Sequence, residues 1–382
     1  MKALGVGMLG YGFMGKTHTF AHKVIPFYYD PPPVRCNLKV VCRRTEDGAR
    51  AAQAAGGYER WTTDPLEVIA ADDVDLVHIC TPNAAHFPAL AAAIRAGKHV
   101  YVEKPVTASL PEADELAGML DGYKALAQVT FQYRFFPATL KARQLIEEGF
   151  LGEVTHFRAS YLHSGSVDPR RAVNWKSTAG AGGGVVRDLG SHVLDLLWWL
   201  IGPFSSAQCV SRIWAKQRPS QDVPGTMVEV DAEEAACVLL RSDDGTFGCV
   251  DVSKIATGTE DELRFEIHGR WGAMRFNLMD PNCLEVYDGR LPDGELGGRR
   301  GWQRIDTVQK YPAPGGAFPS PKNTLGWIRG HVHALYSFLR CVAEGRPPHP
   351  SLREGLHIQR VLEAVLESAR CGRWVDLPRD QG

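Results

Sequence analysis

A carboxylate and an imidazole stand four residues apart in "GGGVVRDLGSHVLDLLWWLIG", residues 182–202: these are Asp188 and His192. On a helix four residues make about one turn, so both side chains leave on the same face, with Cβ atoms roughly 6 Å apart. Such a pair can orient and move a single proton. Lys104, in "VYVEKPV", offers a cation that can steady an oxygen as negative charge builds on it. These three residue types suit removal of a hydride from a secondary alcohol, whose oxygen must lose its proton in the same reaction. Either His192 or Lys104 could take that proton. We take His192 as the base, Lys104 as the group that lowers the alcohol's pKa, and Asp188 as the partner that orients the imidazole or accepts a substrate hydroxyl. Leu196, Leu197 and Leu200 would anchor the helix, and the preceding glycines would let backbone approach a ligand closely.

A hydride needs an acceptor, and the N-terminus offers a place for one. "GVGMLGYGFMG" holds Gly10-x-Gly12-x-x-Gly15 directly after an apolar strand and before a helical segment, with Phe13 and Met14 inside the turn. In that setting the glycines allow a tight turn and bring backbone N–H groups to a pyrophosphate at the helix N-terminus. The second strand ends "VVCRRTED", so Arg43 and Arg44 stand where an acid would receive the ribose hydroxyls of NAD. An arginine there can pair with a 2′-phosphate, which makes the expected cofactor NAD or NADP with a lean to NADP. Two further strand ends point to the same edge: "VHICTPNAAH" with Thr81, Pro82, Asn83 and His86, and "VYVEKPV" with Glu103 and Lys104. Ligands of open parallel sheets bind outside the carboxyl ends of the strands, which makes all these residues candidate cofactor contacts.

The elements that must position these residues fall into two classes. Up to about residue 130, apolar runs such as "ALGVGML", "LKVVCR", "VDLVHIC" and "HVYVE" alternate with helical segments, the pattern of a doubly wound parallel sheet. Beyond it, longer strands joined by turns, with a hairpin signal at Asp244-Gly245, predict an α+β domain with a large mixed, mainly antiparallel sheet. Residues 312–326 read as a loop, and 331–345 and 352–372 as closing amphipathic helices. The expected division is 1–130 for dinucleotide binding and 131–382 for substrate binding and oligomerisation.

Composition narrows the function classes. With 43 basic and 44 acidic residues and no long run of like charge, neither a nucleic-acid nor a membrane partner is expected. The nine cysteines include no CxxC pair, so no metal site and no disulfide framework is expected. The short apolar N-terminus runs straight into the glycine turn and reads as a strand, which leads to an expected cytoplasmic location.

Taken in order, the glycine turn, TPN…H, EKP and GGG…DLGSH…D resemble the glucose-fructose oxidoreductase / inositol dehydrogenase / rhizopine catabolism protein family, over most of the chain. "FQYRFFPATLKARQLIEEGFLGEV" and "ESARCGRWVDL" extend the likeness. The resemblance implies a nicotinamide-binding Rossmann domain, then a mixed-sheet domain that mediates assembly into a dimer or tetramer. It places Lys104, Asp188 and His192 on the family's catalytic positions and implies a cis Lys104–Pro105 bond. It also implies a sugar, anhydrosugar or cyclitol substrate. An uncharged polyol is preferred, because no dense Lys/Arg cluster beyond "DPRRAVNWK" awaits a phosphate.

Residues proposed to line the substrate are Gln132, Arg134, His163, Asn174, Trp175, Lys176, His331 and His333, since polar groups among aromatics suit a hydroxylated ring. The insertion "IPFYYDPPPV" is expected to bring three aromatics near the cofactor end. Two other functions stay open at this point: a glycoside hydrolase that retains NAD and acts by transient oxidation, and a non-catalytic nucleotide-binding protein.

Overall fold

The computed structural model describes residues 2–221 and 223–377. They form two compact units. The chain up to Gln132 makes the first, together with Tyr311–Pro321 and Trp327–Gln359; Tyr133–Lys310, Lys322–Gly326 and the stretch from Arg360 make the second.

Short Val- and Ile-rich runs bounded by turns build the first unit's sheet: β1 (Ala3–Leu9), β2 (Arg35–Cys42), β3 (Arg60–Thr62), β4 (Leu76–Ile79), β5 (His99–Val102) and β6 (Ala127–Val129). All pairings are parallel, and the spatial order is β3-β2-β1-β4-β5-β6. The order reverses between β1 and β4, the switch point at which doubly wound sheets take their ligands. The crossovers are α1 (Phe13–Tyr28), α2 (Glu46–Gly56), α3 (Pro65–Ala70), α4 (His86–Arg95) and α5 (Leu110–Met119). Their starts are written locally: the Thr45 and Asp64 side chains accept from the first turns of α2 and α3, and Ser109 with Glu112 forms a capping box on α5.

In the second unit α6 (Pro137–Glu147) precedes β7 (Val154–Leu162), and α7 (Ser191–Ile201) follows a long loop. The remaining strands are β8 (Ser206–Arg212), β9 (Gln217–Pro219), β10 (Met227–Glu229), β11 (Ala235–Arg241), β12 (Phe247–Ser253), β13 (Glu262–Gly269), β14 (Gly272–Asn277), β15 (Cys283–Asp288), β16 (Trp302–Asp306) and β17 (Val375–Asp376). Nine of the strands make one sheet in the order β16-β15-β14-β13-β7-β12-β11-β8-β17, antiparallel except for the parallel pair β7–β12; β9 and β10 pair separately. The Asp244-Gly245 hairpin joins β11 to β12 as its sequence signal indicates. Along β11 buried and exposed residues alternate, and along β13 buried residues alternate with half-buried or exposed ones, so one sheet face is core and the other is more open.

The two long helices close the chain: α8 (Ile328–Glu344) and α9 (Leu352–Cys371). α8 packs on α1 within the first unit, where Val332, Leu335, Phe338 and Leu339 join Leu4, Val6, Ile25 and Tyr29 in one apolar cluster. Tyr28 and Tyr29 of the 25–34 insertion belong to this contact, whereas Phe27 is exposed. α1 runs on through Pro26 to Tyr28, so they lie at the end of α1 opposite the glycine turn, about 24 Å away by helical rise. Tyr29 is fully buried, stacks on Tyr336 at 3.6 Å, and shares its hydroxyl with Arg329 and His333. The expectation that the insertion lines the cofactor end is therefore corrected: it fastens α1 to α8.

Candidate active site

The glycine turn forms a cradle. Gly10 sits at φ +88° with its amide on the Cys42 carbonyl, and a Cβ there would come within 2.6 Å of the Cys80 carbonyl oxygen. A Cβ on Gly15 would meet the Gly10 carbonyl at 2.2 Å. These two glycines close the turn onto β4 and onto α1. Gly12 is different: a Cβ there would have no neighbour within 4 Å. It caps α1 without a side-chain hydrogen bond, and no acid stands in the first helical turn. The N-terminus of a 16-residue helix is thus open toward an anion at the one position where bulk would block it.

The neighbouring strand ends add to the cradle. Thr81, just past β4, buries its hydroxyl without a partner among the described residues. The His86 ring lies 2.8 Å from the Pro105 carbonyl and 2.9 Å from the Thr81 carbonyl, so it ties the TPN loop to the EKP loop and acts on a ligand through them. Burial holds this histidine below its ordinary pKa against the pull of both carbonyls. Asn83 is buried in the turn that precedes α4, Pro82 is exposed, and Phe13 lies against Trp327 at 5.5 Å. Arg43 and Arg44 are both exposed at the end of β2. Glu103 and Lys104 follow β5, and the Lys104–Pro105 bond is cis. Glu103 itself is buried against His18. This geometry fits a dinucleotide: three glycines divided between tight packing and open approach, an open helix N-terminus, and an orphaned buried hydroxyl beside it.

In the second unit the Asp188–His192 segment departs from a uniform α-helix. Val186–Gly190 is a π-helical turn that leads into α7 at Ser191. Such widened turns recur at functional sites because they re-aim side chains along an otherwise regular helix. Leu196, Leu197 and Leu200 are buried as expected. Asp188 accepts from Lys176 Nζ at 3.0 Å and from Lys254 Nζ at 2.9 Å, so its carboxylate is shared by two lysines. Lys254 was not singled out from the sequence, since it lies just beyond β12 with no motif around it. Gly183 and Gly184 serve this arrangement. A Cβ on Gly183 would strike the Lys176 and Thr178 carbonyls, and one on Gly184 would strike the Glu233 carboxylate. Their smallness seats the loop that carries Lys176, which corrects the expectation that they make room for a ligand.

His192 is buried, with its ring edge-on to Tyr133 at 4.9 Å and Tyr161 at 5.9 Å. Tyr161 donates to Asp261, which leaves Tyr133 as the donor in the 2.6 Å contact between the two hydroxyls. Burial keeps the Tyr161 hydroxyl protonated, well above the usual tyrosine range. The imidazole thus rests on a wall whose hydrogen bonds run one way.

Other proposed substrate residues have structural work. Arg134 makes a buried two-pronged pair with Asp195 on α7. His163 pairs with Asp261, Asn174 caps the short turn Trp175–Ser177, and His333 bonds Tyr29.

A family model described as "Oxidoreductase family, NAD-binding Rossmann fold" matches residues 4–131, and one described as "Oxidoreductase family, C-terminal alpha/beta domain" matches residues 143–377. The chain belongs to the Gfo/Idh/MocA oxidoreductase family. Among its Gfo/Idh/MocA relatives, a levoglucosan dehydrogenase from Pseudarthrobacter phenanthrenivorans is 31% identical over 391 residues, covering 99% of each chain. The NADP-dependent scyllo-inositol 2-dehydrogenase of Bacillus subtilis is 25% identical over 384 residues, covering 99% of this chain and 97% of its own. Among solved structures, levoglucosan dehydrogenase in complex with NADH and levoglucosan superposes with a TM-score of 0.93 at 31% identity, covering 99% of this chain and 100% of that one. The protein is accordingly a Gfo/Idh/MocA oxidoreductase that uses a nicotinamide cofactor.

Proposed function

We propose that the protein is an NAD(P)-dependent dehydrogenase of a secondary alcohol in an uncharged sugar, anhydrosugar or cyclitol. The observation that carries this is the placement of Gly12, Thr81 and Lys104 just beyond the carboxyl ends of the adjacent strands β1, β4 and β5. That edge is where a doubly wound sheet presents a dinucleotide. The likeness to a levoglucosan dehydrogenase and to a scyllo-inositol dehydrogenase supports the substrate class.

The cofactor, when bound, supplies the hydride acceptor. Gly10, Gly12, Phe13, Met14 and Gly15 hold its pyrophosphate end, Thr81, Pro82, Asn83 and His86 form its second wall, and Glu103 and Lys104 its third. His192 takes the hydroxyl proton. Lys104 donates a hydrogen bond to the same oxygen and steadies it as charge develops. Asp188, with Lys176 and Lys254, presents alternating charge to the neighbouring hydroxyls of the polyol. Residues 1–130 bind the dinucleotide, and residues 131–382 bind the polyol and a second copy of the chain.

Arg43 and Arg44 support NADP over NAD, as does the NADP-dependent relative; the NADH complexes of levoglucosan dehydrogenase favour NAD. Assembly into a dimer or tetramer through the second unit's sheet is supported by the exposed residues that alternate along β11 and β12 on one face of it. A cytoplasmic location accords with nine cysteines that all stay as free thiols. No observation favours a retained-NAD hydrolase or a silent binder.

Calorimetric titration with NAD and NADP, followed by absorbance at the reduced-nicotinamide band with levoglucosan, other sugars and inositols, tests the reading. Tight binding of one cofactor and growth of that band with at least one polyol are expected. Tight binding without reduction by any polyol would overturn it.

A further inference from the structure

Three buried histidines of the first unit take no part in the proposed dehydrogenase chemistry, yet they form a row that ends on the Glu103 carboxylate. His18 and His22 lie one turn apart on the inner face of α1, His78 lies on β4, and Glu103 follows β5 next to Lys104. His18 and His78 are 1% and 0% exposed, and His22 and Glu103 are each 7% exposed. Their contacts run end to end. Glu103 Oε1 lies 3.0 Å from His18 Nε2, His18 Nδ1 lies 3.1 Å from His78 Nδ1, and His78 Nε2 lies 2.8 Å from His22 Nε2. Tyr101 packs its ring against His18 and His78 at 5.1 and 5.2 Å and walls the row off. No group of His, Cys, Asp and Glu among the described residues is arranged to hold a metal.

Proton counting narrows the row to two alignments. Burial holds His22 down to about 3 and His78 well below its ordinary value, so both are neutral. Three neutral imidazoles carry three N–H protons, and the row has three links, each needing one. With Glu103 ionised, His18 donates from Nε2 to the carboxylate, His78 from Nδ1 to His18, and His22 from Nε2 to His78. With Glu103 protonated, every bond reverses. Cys80 separates the two. Its thiol lies 3.2 Å from His18 Nδ1, and burial keeps it protonated, so it is a donor that meets a lone pair only in the ionised alignment. Reversal, or a second proton on His18, would put an N–H at that nitrogen. The carboxyl agrees: burial pushes it up, but the His18 hydrogen bond and the neighbouring His18, His331 and Lys104 outweigh it, so it titrates below its usual range. In this alignment all three N–H dipoles point at Glu103, and hydrogen bonds in such a chain polarise one another. Fixed rings thus stabilise a buried anion, and no proton moves along them.

The strand end that carries Lys104 is fastened on both sides. The Glu103 amide donates to the Ile79 carbonyl at 2.9 Å, its carboxylate is bound by His18, and the Pro105 carbonyl lies 2.8 Å from the His86 ring. β4, α1 and α4 thus hold the residues before and after Lys104. We propose that Glu103, kept ionised by the histidine row, is a positioning residue for Lys104: it anchors the strand end that presents the amine, and its charge favours the ammonium form that donates to the substrate oxygen. This rests on the dehydrogenase reading. The carboxylate acts through the backbone and through its field, so no bond between the two side chains is required. In a medium of low dielectric a unit charge is felt well beyond contact distance. The other groups around Glu103 are His18 on α1, Cys80 after β4, Tyr101 on β5, His86 on α4 and His331 on α8. Burial keeps the Cys80 thiol and the Tyr101 hydroxyl protonated and holds His86 below its ordinary value, so none of these three neutralises the carboxylate.

Two measurements on the full chain test this without a substrate. 15N-histidine NMR reads the alignment: single protonation at His18 Nε2, His78 Nδ1 and His22 Nε2 is expected at neutral pH, and the reversed set or a doubly protonated His18 would overturn the proposal. The second is the pH dependence of Lys104 acetylation by acetic anhydride, read by peptide mass spectrometry, whose midpoint reports the amine. Glu103→Gln keeps the size of the side chain and an oxygen for the His18 bond, so it should melt close to wild type while the midpoint falls by about one pH unit. His18→Leu removes the donor and lets burial protonate the carboxyl, so the same fall is expected. His18→Gln, whose amide can still donate, should restore most of it. The double variant His18→Leu/Glu103→Gln should go no further than either single one, because both act by one route. An unmoved midpoint in folded Glu103→Gln protein, or additive shifts in the double variant, would overturn the proposal; if His18→Leu does not fold, Glu103→Gln decides alone. With a polyol that reduces the cofactor, the alkaline limb of the kcat profile should move down with the midpoint at unchanged KM, and a limb that stays in place would also overturn it. If no polyol reduces the cofactor, the dehydrogenase reading fails, while the tautomers and the midpoint still judge Glu103.

Discussion

The proposed mechanism assigns Lys104 and His192 to the same substrate oxygen, and that shared assignment sets what their removal should do. Neither helps to close the glycine cradle, so Lys104→Ala and His192→Ala should each cut kcat by at least ~10²-fold while cofactor affinity stays within a few fold. Steady-state rates paired with calorimetry check this, and unchanged turnover in either variant removes that residue from the mechanism. At the adenosine end, Arg43→Asp should shift preference from NADP toward NAD, read as a change in the ratio of the two dissociation constants. A constant ratio would mean that the exposed guanidinium is merely solvated. The types and spacing of these residues were legible because they lie in short motifs at strand ends. Lys254 was not, since its partner Asp188 lies far away in the chain and only β12 brings the two to 2.9 Å.

α1 shows how one element divides its labour. Its first turn faces the proposed cofactor, its middle carries the histidine row, and its last turn is clamped to α8 by Tyr29 and Arg329. The glycine turn before it allows two substitutions of the same size with opposite outcomes. Gly12→Ala adds a methyl group into open space, so the protein should melt like wild type but bind its cofactor at least about tenfold more weakly, as bulk then meets the pyrophosphate. Gly10→Ala forces an L-residue to φ +88° and drives a methyl group into the Cys80 carbonyl, so it should lose about 2 kcal/mol or more of folding stability. Thermal melts with and without cofactor separate the two. The helical character of 191–201 was legible from its apolar pattern, but the π turn before it was not, because sequence periodicity does not register a single widened turn.

For the molecule as a whole, buried neutral histidines make stability depend on acid. His22, at about 3, and His78 and His333, both well below the ordinary value, are neutral in the folded state because burial disfavours their charged forms. In the unfolded chain they titrate near 6.5, so below that pH the unfolded state binds more protons. Their contribution is complete above pH 6.5 and is lost as pH falls toward 3, by up to about 1.4 kcal/mol per pH unit for each group. Urea unfolding between pH 7.5 and 4.5 should show that slope, and His22→Gln should flatten part of it. The open sheet face makes a second prediction at this scale. It exposes Val210, Leu239 and Phe247 at 72, 43 and 58% on neighbouring strands, an apolar patch that a second copy would cover. Phe247→Asp should shift the sedimentation coefficient from an oligomer to a monomer, whereas an unchanged coefficient would move the interface elsewhere.

The amino-acid order alone determined the parallel sheet, the hairpin at Asp244-Gly245, the glycine turn and the short motifs that carry Lys104, Asp188 and His192. Each is a local matter: a period of side chains, a backbone conformation open to glycine, or a motif a few residues long. Tertiary structure decided what depends on distant partners. It placed β7 parallel to β12, packed α8 on α1, turned the aromatic insertion into a clamp, and set Lys254 on Asp188. It also joined His18, His22, His78 and Glu103 into one row. No spacing along the chain announces that row, because α1, β4 and β5 each contribute only a residue or two, and only the winding of the sheet brings them within hydrogen-bonding reach.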